Sequence, residues 1–138
     1  MNITFSKLLS SIYLGFEMLR LWTRGLFNDR IIRILIIVLL VLQLSIWGIA
    51  IILVQSIGSA LAVLHYNVVF GIDKVGEASL IYLTPVSILI ILIINLIFAS
   101  YCLASRQRNA ALIILGVSIF VHIFTILALY FSYLSNFS

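Results

Sequence analysis

The sequence predicts an all-α integral membrane protein: an N-terminal interfacial amphipathic helix, three transmembrane helices, and a small hairpin-like cap between the first two spans. Three observations carry this. The chain is 64% hydrophobic and 9% charged, with a mean hydropathy of +1.32, against about 45–50% apolar and about 25% charged in an ordinary soluble domain. Residues 34–72, 78–105 and 109–138 contain no Asp, Glu, Lys or Arg. The basic residues sit at the ends of these runs, not in a patch beside aromatic side chains, so the formal charge of +4 reads as membrane topology rather than nucleic-acid binding. A water-soluble core of 138 residues cannot absorb this much apolar surface, and the length suits one membrane domain over 1–138.

Residues 3–27 read as the interfacial helix. Phe5, Leu8, Leu9, Ile12, Phe16, Leu19, Leu26 and Phe27 follow the i, i+3, i+4 pattern, with Lys7, Ser10, Ser11, Glu17 and Arg24 off that stripe. Trp22 and the arginines suit the headgroup level. The competing reading is a short first span, which Lys7, Glu17, Arg20 and Arg24 interrupt. No cleavable signal peptide is expected, because the first long apolar run begins at Ile31 and exceeds an h-region.

Gly25 and Asn28-Asp29 break the chain. Asn28 is the expected N-cap of the next helix, with Asp29 near its positive dipole end. The first span is 34–57, long enough for the roughly 30 Å hydrocarbon layer that about 20 helical residues cross. Gly58-Ser59 is its natural stop. In the outer segment, 58–79, the stretch 62–73 is rich in β-branched and aromatic residues and predicts a hairpin or extended strand, with Gly71 and Gly76 at turns and Val68, Val69 and Phe70 plugging the bundle top. Its polar groups either bond locally within a packed cap or form a binding site.

The second span is 80–104. Thr84-Pro85 reads as a cap followed by proline at a first helical position, so the helix either starts at Pro85 or kinks there. Arg106-Gln107-Arg108-Asn109 is a tight turn, the third span is 110–133, and 135–138 forms a short polar tail. Lys7, Arg20, Arg24, Arg30, Arg33, Arg106 and Arg108 fall on one side and Lys74 on the other. This asymmetry predicts a multi-pass protein with the N terminus cytoplasmic and the 58–79 segment and C terminus outside.

Gln43, Asn95 and His122 interrupt three different spans near mid-depth. Polar side chains are costly in hydrocarbon, so the three are expected to face one another. They serve either as interhelical hydrogen bonds that fix register, or as a proton-responsive or ligand-binding cluster around His122. Ser45, Gly48, Ser87, Gly116 and Ser118 would let the helices approach closely. No catalytic motif is present: no intramembrane aspartate pair, no His-Glu-x-x-His, no Gly-x-Ser-x-Gly and no Walker loop. The chain therefore reads as non-enzymatic, without metal or cofactor; His65 and Asp73 fall short of a ligand set by themselves. Cys102, the sole cysteine, excludes an internal disulfide and is either acylated or a small apolar filler.

His65-Tyr66-Asn67, then Gly71, Asp73 and Gly76, followed by an apolar helix containing Pro85, resembles the extracytoplasmic motif of a domain of unknown function. That domain occurs in SdpI-type bacterial membrane proteins of the toxin-immunity and signalling kind. The stretch is also similar to small uncharacterised membrane proteins of candidate-phylum bacteria. The resemblance covers roughly residues 63–104; here Val68-Val69-Phe70 precedes the glycine and no proline precedes His65. It implies a bacterial cytoplasmic-membrane protein with His65, Asn67 and Asp73 as the motif's polar members. Partners other than the lipid bilayer would be another membrane protein or further copies of the chain, in an accessory, assembly or immunity-like role. The rival expectation is an oligomeric transporter or channel using the mid-depth polar residues.

Overall fold

The computed structural model describes residues 13, 26–59, 61–67 and 71–137, and of residues 65–67 and 71–73 the backbone only. The expected interfacial helix therefore lies outside the described residues, apart from Tyr13, Leu26 and Phe27, as do Val68, Val69 and Phe70. The described chain runs α1 (Arg30–Ile57), β1 (Leu61–Asn67), β2 (Gly71–Glu77), a 3-10 helix (Ala78–Tyr82), α2 (Leu83–Ala104) and α3 (Arg108–Phe137). Three stretches, Arg30–Ile57, Ala78–Ala104 and Arg108–Phe137, are long and apolar enough to cross a membrane.

Asp29, rather than Asn28, caps α1. Residue 28 is still helical, whereas Asp29 has the extended backbone a cap needs and its Oδ1 accepts from the N–H groups of Ile31 at 2.9 Å and Ile32 at 3.3 Å. The helix stops at Gly58, whose φ of 64° is open to glycine at little cost and whose N–H donates to the Val54 carbonyl at 3.0 Å.

The outer segment is an antiparallel hairpin, paired from Leu61↔Glu77 to Asn67↔Gly71 with irregularities around residues 63–66. Gly76 lies inside β2 and not at a turn, whereas Gly71 is the first residue of β2 and pairs with Asn67. At Gly76 the reason is close approach: a Cβ would come within 2.7 Å of Leu64 Cδ1 and 3.2 Å of Leu80 Cδ1. Helix also precedes Pro85, so Thr84 is not a cap. The chain turns first as a 3-10 helix and becomes α-helical at Leu83, which leaves Pro85 in the first α-helical turn, where a missing N–H is tolerated.

The 105–107 turn is a Schellman motif built without glycine. Arg106 adopts φ 59°, its N–H donates to the Leu103 carbonyl at 3.0 Å, and Gln107 N–H donates to the Cys102 carbonyl at 2.8 Å. The third helix begins at Arg108 and continues to Phe137, so the expected polar tail is its last turn. Asn136 is responsible. Its Oδ1 accepts from Val63 N–H at 2.8 Å, and its Nδ2 donates to the carbonyls of Val63 at 3.1 Å and Ser132 at 2.8 Å. The side chain thus completes the helix and takes the place of a strand neighbour along β1.

α3 packs against both other helices. Two apolar cores result. One, at the end carrying Asp29 and Arg108, gathers Leu26, Ile32, Ile36, Leu39, Leu92, Ala99, Ala111 and Leu115. The other, under the hairpin, gathers Ile46, Ala50, Leu53, Ala62, Ala78, Ile81, Ile88 and Leu129.

Candidate functional site

Between the two cores lies a polar belt. The buried residues of α1 are Ile32, Ile36, Leu39, Gln43, Ile46, Ala50 and Leu53, and those of α3 are Ala111, Leu115, Ser118, His122, Thr125 and Leu129. Both series step by alternate fours and threes, the spacing of a coiled-coil seam. Gln43 and His122 replace apolar residues within it.

The relative height of the two helices is set at their starts. Arg108 Nε and Nη2 both donate to the Asp29 carboxylate, the second at 3.3 Å. The Arg108 guanidinium, supported by the N–H groups of Ile32 and Ile31, pushes the Asp29 carboxyl down to about 2. At the far end Asn136 reaches the hairpin that follows α1, so α1 and α3 run parallel. Asp29 and Arg108 are separated by 79 residues along the chain, and adding that offset to Gln43 gives His122. The other buried positions of α1 from Ile32 to Ala50 map in the same way onto Ala111, Leu115, Ser118, Thr125 and Leu129. Gln43 and His122 therefore occupy one layer, about 21 Å along the axis from the ion pair at 1.5 Å per residue.

Gln43 Nε2 donates to the Pro85 carbonyl of α2 at 3.0 Å. His122 Nδ1 lies 2.7 Å from the Ser118 carbonyl one turn back. A carbonyl only accepts, so Nδ1 carries the hydrogen and neutral His122 leaves Nε2 as a bare acceptor. Both remaining groups, Gln43 Oε1 and His122 Nε2, are buried without a hydrogen-bond partner among the described residues. Flipping the Gln43 amide would not help, since Oε1 would then oppose the Pro85 carbonyl. The layer thus holds two acceptors without a donor, and each such buried group costs about 1–3 kcal/mol.

Asn95 sits outside that layer. It is half-buried, and its Nδ2 donates to Ser118 Oγ at 2.8 Å, while Ser118 Oγ donates to the Ile114 carbonyl at 2.8 Å. No hydrogen bond joins any two of Gln43, Asn95 and His122 among the described residues. Asn95 and His122 instead meet on opposite ends of Ser118, and Gln43 ties α1 to α2. The bonding partners Ser118 and Pro85 are the residues that reading by side-chain type alone passes over. Ser118 looks like a spacer, and Pro85 contributes only backbone. The heptad spacing shared by 32–53 and 111–129 was the available signal.

Of the outer motif, the backbone places His65 opposite Lys74 and Asn67 opposite Gly71, with Asp73 outside the regular pairing. Among the described residues no group of three or more His, Cys, Asp or Glu could hold a metal ion. Cys102 is free and half-buried, packed against the core at the Asp29 end.

Neither a protein-family model, nor a curated protein, nor a solved structure matches this chain.

Proposed function

We propose that this chain is a non-enzymatic multi-pass protein of a bacterial cytoplasmic membrane that works by lateral association, as an accessory, assembly or immunity-like factor. The N terminus, Arg30, Arg33 and the 105–107 turn face the cytoplasm, and the hairpin and C terminus face outward. The observation that carries association is a second stripe on α3. Ile113, Val117, Phe120, Phe124 and Phe131 are all exposed and keep to the helix-packing rhythm of fours, threes and sevens. Large aromatic side chains at such spacing suit a partner helix, a membrane protein or another copy of the chain.

The test is a mild-detergent pull-down of the tagged full chain beside a Phe120→Ala/Phe124→Ala variant. A stoichiometric partner retained by the first and lost by the second supports the reading; no partner with either defeats it.

A second reading, an oligomeric transporter or channel, draws on the two unpartnered acceptors Gln43 Oε1 and His122 Nε2. Replacing Gln43, Asn95 and His122 together with apolar residues separates the two. Unchanged solute flux alongside altered stability would end the transport reading.

A further inference from the structure

A cavity of about 630 Å³ opens between the hairpin, the start of α2 and the last turns of α3. Most of its wall is apolar, with Leu64, Ile81 and Leu129 among the lining residues, and three polar side chains join them: Lys74, Thr84 and Ser132. Lys74 is the only Lys or Arg between Arg33 and Arg106. Its ammonium makes no ion pair or hydrogen bond with a described residue.

The hydroxyls are unusual for these helices. Ser45, Ser87, Ser100, Ser118, Thr125 and Ser135 each donate to the carbonyl four residues back. Those of Thr84 and Ser132 donate to no described residue. For Thr84 the residue four back, Leu80, belongs to the 3-10 helix. One ammonium and two hydroxyls that donate to no described residue thus border an apolar hollow at the hairpin end of the bundle.

The geometry points to a binding site for one acidic phospholipid, its anionic headgroup on Lys74, Thr84 and Ser132 and an acyl chain along Leu64, Ile81 and Leu129. A bare anion would lose its water against a mostly apolar wall, whereas an amphiphile fills the wall with its tail and keeps its charge at the mouth. Charge-assisted hydrogen bonds from an ammonium to a headgroup are the stronger kind. The inference rests on the chain being membrane-embedded.

The experiment is native mass spectrometry of the full chain released from nanodiscs holding equal phosphatidylglycerol and phosphatidylcholine with the same acyl chains. One retained phosphatidylglycerol is expected, with retention about tenfold lower in Lys74→Gln and kept in Lys74→Arg. Thr84→Val, a milder change, is expected to weaken retention without disturbing the fold. Equal retention of the two lipids, or wild-type retention by Lys74→Gln, overturns the site. Displacement by millimolar inorganic phosphate would show that a free anion, not a lipid, is bound, and also overturns it. Resistance of the same protein to alkaline extraction from membranes is measured in parallel: its loss would count against membrane embedding, whereas a lipid result alone counts only against the site.

Discussion

Gln43 and His122 stand in the same layer of two parallel helices, each presenting a buried acceptor that nothing among the described residues satisfies. Their level is dictated two heptads away by Asp29 and Arg108. A local electrostatic pair at one end of the bundle thereby marks the register that puts these two polar groups level at its middle.

The belt separates bonds that hold helices together from groups that burden them. Ser118→Ala strips Asn95 of its partner and is expected to destabilise by about 1 kcal/mol. Gln43→Leu removes an unsatisfied acceptor along with one interhelical bond, so it is expected to be near neutral or stabilising by about 1 kcal/mol. Thermal unfolding in detergent distinguishes them; a larger loss for Gln43→Leu than for Ser118→Ala would reverse the assignment.

The tautomer of His122 is a direct consequence of its bond to the Ser118 carbonyl. Nitrogen-15 NMR of histidine-labelled protein carrying His65→Asn, in which His122 is the only histidine, is expected to place the hydrogen of the neutral ring form on Nδ1. A signal from the Nε2-protonated form would contradict the geometry.

Asp29 gives the bundle an acid limb. Its carboxyl is held down by Arg108, so its contribution is fully present above the ordinary carboxylate value of about 3.9. That contribution is lost as pH falls through about 2. Stability measured between pH 5 and 2 is expected to decline more steeply in the wild type than in Asp29→Asn. Parallel curves would mean that the pair does not form.

Asn136 carries the hairpin. Asn136→Ala removes the acceptor of the Val63 N–H and is expected to speed hydrogen exchange of that amide about fivefold, for a bond contributing about 1 kcal/mol. Faster exchange spread evenly over α1 and α3 would instead indicate global loosening.

The parts that sequence made legible are those set by local chemistry. Long uncharged runs demand lipid or burial wherever they are placed, so the three helices were foreseeable. Gly58 stops α1 because the backbone there turns to positive φ. The β-branched and aromatic character of 62–73 pointed to extended chain. What depended on distant partners was hidden. Nothing near Asn136 distinguishes it from a solvated tail until Val63 arrives, and α3 was accordingly expected to end early. Ser118 looks like a spacer until Asn95 and His122 reach it. Gly76 suggested a turn because glycine signals close approach and reversal alike, and only the packing of Leu64 and Leu80 decides which. The common layer of Gln43 and His122 needed the Asp29–Arg108 register, which no local pattern contains.

Site-directed labelling of intact cells tests the membrane arrangement most directly. In a Cys102→Ser background, Ser59→Cys and Ser105→Cys mark opposite ends of the helices. A membrane-impermeant maleimide is expected to label Ser59→Cys in intact cells and Ser105→Cys only after permeabilisation. Labelling of Ser105→Cys from outside, or of neither position until the membrane is opened, would contradict the arrangement.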